Sequence, residues 1–308
     1  MKVYNLSGNI PTEAKGAVTA IGNFDGLHRG HQALLEITRK KALDLGKPFA
    51  VLTFEPHPRR LFRPDDAPFR ITPLDVKLQR LEAAKADIVF ILDFNWETAH
   101  LNADDFIQKI LKDELGLHDI VIGANFHFGQ NRSGSIETLQ AAGLNCTSIG
   151  LVKDATHTIY SATRIRGLLQ CGQISEANAL LGWSWEIQAK VENGDRRGRE
   201  LGYPTANMPL GETLHPAYGI YATLVQIEGE KEWRMAASNI GIRPMFEAKI
   251  ALIESFLLDF TGDLYGKTLR VRPVAKIRDE AKFDSLDALK TQMAKDCEKA
   301  RTILKDRN

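Results

Sequence analysis

The sequence predicts two parts: an α/β domain on a parallel sheet, then a mainly-β domain whose antiparallel strands form a small barrel with a C-terminal helix. Three observations predict this. Up to about Gly182, short continuous apolar runs alternate with helix-like stretches, as in strands buried on both faces. Beyond Gly182 the apolar residues alternate singly and Gly-containing turns separate the runs, which suits an antiparallel sheet. At 308 residues the chain is long for one domain. Helices give way to strands near Trp183, so the domains are expected at 1–182 and 183–308.

In order, 17–21 reads as a short buried strand. Residues 32–45 read as a helix with Leu34, Leu35, Leu43 and Leu45 among its apolar positions. Residues 49–53 form the second strand. Residues 73–85 form a helix with Leu74, Leu78 and Leu81 on one face. A strand at 87–92, a helix at 103–115 and a strand at 119–123 follow. In the second half, strands are expected at 187–191, 220–227, 250–258 and 269–277, with a turn at 261–263. The last stretch, 285–304, is an amphipathic helix whose stripe of Leu286, Leu289, Met293 and Cys297 should lie on the barrel as a lid.

Forty lysines and arginines face 39 acids, a net charge of +1, which gives no global electrostatic case for nucleic acid or an anionic membrane. The cysteines, Cys146, Cys171 and Cys297, are scattered and odd in number. They show neither a disulfide framework nor metal-ligand spacing, and fit a reducing cytoplasm. After Met1 and Lys2 no apolar run is long enough for a signal peptide, and nothing approaches a membrane span. The expectation is a cytoplasmic protein with neither nucleic acid nor membrane as partner.

The stretch organising the first half is 22–31, GNFDGLHRGH. A strand that breaks at glycine-rich backbone and opens a helix is an anion site, because helix N-terminal N–H groups point at the ligand. Gly22, Phe24, Asp25, Gly26 and Gly30 shape the turn, and His28 and His31, three apart, can face one phosphate together. The alternative is a capped helix start with two surface imidazoles. Zinc lacks a local third ligand.

Three further stretches follow strands or open helices, where ligands bind in parallel sheets. In 53–59, Pro56 and Pro58 keep Glu55 and His57 out of helix, and Phe54 lies beside them; a rigid surface turn reads equally well. In 123–134, Asn125 sits among interleaved aromatic and hydrogen-bonding residues that suit a flat ring, or phenylalanines that plug the core. In 161–166, Ser161 is a candidate N-cap, followed by Thr163, Arg164 and Arg166. Arginines in a first turn oppose the helix dipole unless an anion sits there or they turn outward to acids.

In the second half, 194–207 carries Gly194, Gly198, Gly202 and Pro204 with basic residues that suit a polyphosphate; a solvated hairpin is the alternative. Thr205 and Asn207 point the same way in an extended segment and could hold magnesium with its phosphates. Glu254, in the apolar run LIESFLL, is either a general base or an outward-facing strand residue.

These stretches, with 218–222, 239–244 and 258–266, resemble the bacterial riboflavin kinase/FMN adenylyltransferase family, the bifunctional FAD synthetases, over nearly the whole chain. The resemblance implies a Rossmann-like nucleotidyltransferase domain followed by a riboflavin kinase barrel. It implies that the second half phosphorylates riboflavin with ATP to FMN, and that the first half adenylates FMN with a second ATP to FAD, releasing pyrophosphate, with Mg²⁺ as cofactor. His28 and His31 would then meet the ATP phosphates, and Ser161, Thr163, Arg164 and Arg166 would form a second phosphate motif. Asn125 would lie near the nucleotide, and Phe54, Pro56 and Pro58 on the flavin side. Glu254 would be the kinase base, Thr205 and Asn207 its magnesium and phosphate ligands, and 194–202 a flap. The chain departs from the family at Ala162, Asn193, Met245 and Phe256, three of them in the kinase half. Two other readings are an adenylyltransferase without kinase activity and a flavin-binding regulator without turnover.

Overall fold

The computed structural model describes residues 1–192, 203–245 and 248–306. The chain divides by its contacts into two compact units, Met1–Asp66 with Thr72–Ser161, and Ala67–Ile71 with Ala162–Asn308.

The first unit is a parallel sheet with strand order β1-β4-β3-β2-β5-β6. Its strands are β1 (Lys2–Asn5), β2 (Val18–Ile21), β3 (Phe49–Glu55), β4 (Ile88–Asp93), β5 (Asp119–Gly123) and β6 (Asn145–Ile149). Residues of β2 are buried on both faces, and those of β3 and β4 nearly throughout, because helices cover the sheet. From β2 the chain winds outward through β3 and β4, then returns to place β5 on the other side of β2. That reversal makes the β2/β5 junction a topological switch point, where such sheets bind ligands beyond their carboxyl ends.

Helix α1 (Arg29–Asp44) follows β2. It opens at Arg29, three residues before the expected start, so it carries the histidine motif in its first turn. Leu34 and Leu35 are core, but Leu43 and Leu45 are 67% and 46% exposed and do not belong to the apolar face. Pro58 opens a short helix, α2 (Pro58–Phe62), a use of proline at the first helical position. Helix α3 (Leu74–Ala83) buries Leu81 and packs Leu74 and Leu78 beside it, as expected. Two short helices follow β4: α4 (Trp96–Ala99) and α5 (Ala103–Asp105).

The helix expected at 103–115 continues from α5 as a π-helix over Phe106–Glu114. Leu115 N–H donates to Ile110 O at 3.1 Å, five residues back. Winding at i→i+5 brings Phe106, Ile107, Leu111 and Leu115 onto a narrower stripe than 3.6-residue winding would, and all four are buried. Helix α6 (Ile136–Ala141) then leads to β6.

The second unit begins with α7 (Ala162–Gln170) and α8 (Ile174–Leu181). Its antiparallel sheet has the order β7-β12-β9-β10-β11-β8. The strands are β7 (Ile187–Lys190), β8 (Ala206–Pro209), β9 (Gly219–Ile227), β10 (Trp233–Met245), β11 (Ala248–Leu257) and β12 (Thr268–Arg278). A bridge between Glu192 and Asn207 joins the two edges, with Glu192 N–H donating to Asn207 O at 2.9 Å. Closure of this kind removes the exposed strand edge. The interior carries a hydroxyl ladder, Thr223–Ser238–Ser255, with both oxygen pairs at 2.7 Å.

Helix α9 (Leu286–Leu304) is capped by Ser285, whose hydroxyl accepts from Ala288 N–H at 3.1 Å. It is a lid over the sheet, and the expected stripe holds from its second turn: Leu289, Met293 and Cys297 are half-buried and Cys297 packs against the core, while Leu286 does not take part. Leu286 is 64% exposed, and the buried apolar contacts come from Ala300 and Leu304 against Ala222, Leu224 and Leu258. An ion pair anchors the middle of the helix, where Arg278 Nη2 lies 2.7 Å from Asp296 Oδ2.

Candidate active sites

In the first unit the site is built at the switch point. Phe24 and Leu27 hold positive φ values of 50° and 34° while almost fully buried. Bulky residues reach that region only where surrounding packing fixes them, and such strain clusters at binding sites. Asp25 turns inward: its Oδ1 accepts from Thr72 N–H at 2.9 Å and from the Thr72 hydroxyl at 3.2 Å. Thr72 Oγ1 in turn accepts from Gly26 N–H at 2.8 Å. Asp25, expected among the nucleotide-binding residues, thus braces the turn from beneath.

His28 is the N-cap of α1, its Nδ1 accepting from His31 N–H at 3.3 Å. The two rings stack at 3.8 Å and 14°, and the Phe24 ring meets His31 edge-on at 5.3 Å. A Cβ at Gly30 would lie 3.1 Å from His28 Nδ1, so glycine lets that ring fold over the helix start. His31 Nδ1 is buried and has no hydrogen-bond partner. Its basicity is held well below the ordinary imidazole range, first by burial, then by His28 and Lys77. His31 is therefore a neutral ring at the positive end of a helix, and an arriving anion would accept from its Nδ1 once that nitrogen carries a proton.

Lys77 was not anticipated. It is wholly buried, and its Nζ lies 2.7 Å from Glu55 Oε1 and 3.2 Å from Thr53 Oγ1. Thr53 donates to Asn23 O at 3.3 Å, linking this ion pair to the turn. The signal was present: Lys77 falls on the apolar stripe of α3, three residues after Leu74 and four before Leu81.

Beyond the ends of β3 and β4 lies an aromatic cluster. Phe54 and Phe62 each meet Phe94 at 5.9 Å, and Phe62 meets Trp96 at 5.8 Å. Phe62 and Trp96 are 56% and 54% exposed, although large aromatics gain most from burial. Pro56 follows a cis bond from Glu55, and Pro58 starts α2. Asn125 is exposed, while Phe128 of the same loop is a core residue, so one phenylalanine there does plug the interior.

Ser161 closes the first unit, and Thr163, Arg164 and Arg166 lie in α7 of the second. Arg166 Nε donates to Phe69 O at 2.8 Å with its guanidinium over the Phe69 ring, so this arginine also holds the 67–71 segment.

In the second unit a row of side chains crosses the sheet. Register places Glu192 opposite Asn207, Asn207 opposite Glu254, and Glu254 opposite Asn239. Directly opposed residues project from the same face, so β8, β11 and β10 present amide, carboxylate and amide side by side. Glu254 is 11% exposed and lies 2.6 Å from Arg243 Nη2, which balances its charge. Asn207 Nδ2 donates to Thr205 O at 3.2 Å. The Oδ1 atoms of Asn207 and Asn239 are buried without hydrogen-bond partners. Phe256 packs edge-on against Tyr203 at 5.1 Å. Gly194, Gly198, Gly202 and the rest of the expected flap, with Asn193, lie outside the described residues. Pro204 is exposed beside Thr205.

Comparison with known proteins agrees along the whole chain. A family model described as FAD synthetase matches residues 10–163, and one described as riboflavin kinase matches 181–304. A bifunctional riboflavin kinase/FMN adenylyltransferase of Pseudomonas fluorescens is 39% identical over 96% of this chain and 95% of its own length. Proteins of the same name from Escherichia coli K12 and Haemophilus influenzae are 39% and 37% identical over 96% and 94% of this chain, and 94% of each relative. A solved structure named as a macrolide-efflux protein from Streptococcus pneumoniae is 30% identical and superposes with a TM-score of 0.85, covering 98% of this chain and 99% of that one. Among the described residues here, no helix is long and apolar enough to cross a membrane.

Proposed function

Because this chain belongs to the family of bifunctional riboflavin kinase/FMN adenylyltransferases, we propose how its two sites divide the two reactions. The enzyme phosphorylates riboflavin to FMN and adenylates FMN to FAD, with ATP as donor in both.

Adenylyl transfer belongs to residues 1–182. An FMN phosphate oxygen attacks the α-phosphorus of ATP and pyrophosphate leaves. The nucleophile is already an anion, so the protein must position it and offset charge. The α1 N-terminus, His28 and His31 face the triphosphate, with Gly22, Phe24, Gly26 and Gly30 setting the backbone and Asp25 bracing it. The family resemblance alone assigns Asn125, Ser161, Thr163, Arg164 and Arg166 to nucleotide binding. The flavin ring packs by Phe54, Pro56 and Pro58, and the exposed Phe62 and Trp96 extend that surface.

Phosphoryl transfer belongs to residues 183–308. The ribityl 5′-hydroxyl attacks the γ-phosphorus, its proton passes to Glu254, and ADP leaves. Magnesium fits beside this base, because Asn207 offers a buried hard oxygen with no other partner and Thr205 adjoins it. When bound, the ion would offset the phosphate charge. Gly194, Gly198, Gly202 and Pro204 would border the nucleotide. The setting is a reducing cytoplasm, consistent with three free thiols, and the partners are small molecules, with the chain a monomer or weak homo-oligomer.

The observation carrying this division is the contrast between the two sites: a helix N-terminus with an unpartnered His31 nitrogen at α1, unpartnered amide oxygens on the sheet. The test is purified protein with riboflavin, ATP and Mg²⁺, followed by chromatography. FMN should appear and then FAD, and supplied FMN alone should give FAD. Riboflavin left unchanged while FMN is converted would leave only the adenylyltransferase.

A further inference from the structure

This inference rests on the phosphoryl-transfer reading of the row across β8, β11 and β10, and adds the side that receives the alcohol. Glu254 stands between two amides, Asn207 and Asn239, each directly opposite it on a neighbouring strand. Their Cβ atoms are then roughly 4.5–5.5 Å from that of Glu254, all on one face. Both amides bury an unpartnered Oδ1. An unpaired buried acceptor is rare in a native fold and asks for a partner. The Asn207 flank leads to Thr205 and Glu192, the metal and phosphate side. The Asn239 flank leads elsewhere.

Two residues further along β10, on the same face, stands Gly241, and a Cβ there would overlap the Glu280 carboxylate. The Asn239 side of the base therefore carries the Asn239 and Glu280 acceptors, and its charged donor among the described residues of that face, the Arg243 guanidinium, is engaged by Glu254. A cation has little call there, since Arg243 already balances Glu254 at 2.6 Å. What the flank lacks is a neutral donor, and a hydroxyl supplies one.

We propose that Asn239 Oδ1 accepts a hydrogen bond from the polyol chain of the acceptor alcohol, and so holds that chain against Glu254. Asn239 is a positioning and specificity residue: it selects a flavin bearing a hydroxylated side chain over one with a bare ring system. No bond is made or broken at Asn239, and the proton of the reacting hydroxyl still passes to Glu254.

The test is full-length Asn239→Ala with Mg²⁺ and ADP present, titrated with riboflavin and with lumiflavin, whose ring carries a methyl in place of the ribityl chain. Riboflavin affinity should weaken roughly three- to tenfold, the range of one neutral hydrogen bond. Lumiflavin affinity and the KM for ATP should hold, and FAD formation from FMN should continue as the control for folding. The proposal is overturned if riboflavin binds as before, if both flavins weaken alike, or if the KM for ATP rises instead. Failure of the underlying reading looks different: Glu254→Gln would still make FMN.

Discussion

The two sites solve opposite electrostatic problems with opposite parts. At α1 the chain gathers the positive end of a helix and two stacked imidazoles, with the buried Lys77–Glu55 ion pair behind them. On the barrel it gathers oxygens, a carboxylate flanked by two amides whose acceptors have no partner. The chemistry explains the contrast. A phosphate nucleophile at neutral pH is already charged, so the first site needs charge offset and no base. An alcohol nucleophile is neutral, so the second needs an acceptor for its proton. The histidine turn is assembled from residues adjacent in sequence, the barrel row from three strands, of which β10 and β11 are consecutive and β8 is remote.

The sharpest way to break this comparison is to remove the base. Glu254→Gln should lower FMN formation by about 10²- to 10⁴-fold, the usual reach of a general base, while FAD formation from supplied FMN continues. Loss of both activities would mean that the sites are not separate. The converse pair is His28→Asn with His31→Gln. Asparagine still caps the helix, so the change isolates the imidazoles. Adenylyl transfer should fall about 10²- to 10³-fold, as when a preorganised electrostatic partner is lost, with riboflavin phosphorylation intact.

A smaller effect separates contact from support within the first site. Asp25→Ala leaves the Thr72 N–H and hydroxyl without their buried acceptor and should cost about 1–3 kcal/mol in urea unfolding. FAD formation should drop in proportion to the loosened turn. If stability were unchanged while the KM for ATP rose sharply, Asp25 would be a nucleotide ligand and not a brace.

The contrast also explains what the sequence disclosed. The histidine turn was legible because strand, turn and helix are contiguous, and the central strands because β2, β3 and β4 are apolar almost throughout. The sheet edges were not. β1 is mostly exposed and β6 carries Asn145, Thr147 and Ser148, so neither shows the unbroken apolar run of a central strand. β10 hid because Gly241, Arg243 and Pro244 interrupt its alternation. Glu254 stood out as a charge in an apolar run, but Asn239 did not. Its meaning depends on register between β10 and β11, a relation that no local pattern carries. Lys77 is readable from helical spacing alone, as a charge on the apolar stripe of Leu74, Leu78 and Leu81.

The smallest effect expected is in the pH dependence of stability, and it tests whether the α1 site is empty of charge before ligand arrives. Burial, His28 and Lys77 hold His31 well below its ordinary value of 6.5. Above about pH 6.5 the ring is neutral in folded and unfolded chains alike and contributes no slope. As pH falls through 6.5 the unfolded chain takes a proton that the folded chain refuses. Stability should therefore decline toward acid until the lowered folded value is reached. One such proton gives at most about 1.4 kcal/mol per pH unit. Urea unfolding at pH 7.5 and 5.5 should show a smaller loss for His31→Gln than for the native chain. ATP should oppose the loss in the native chain, because a polyphosphate favours the protonated ring. Parallel curves for the two proteins would mean that His31 takes up its proton equally in the folded and unfolded chains, and the reading of a buried neutral ring awaiting its ligand would fail.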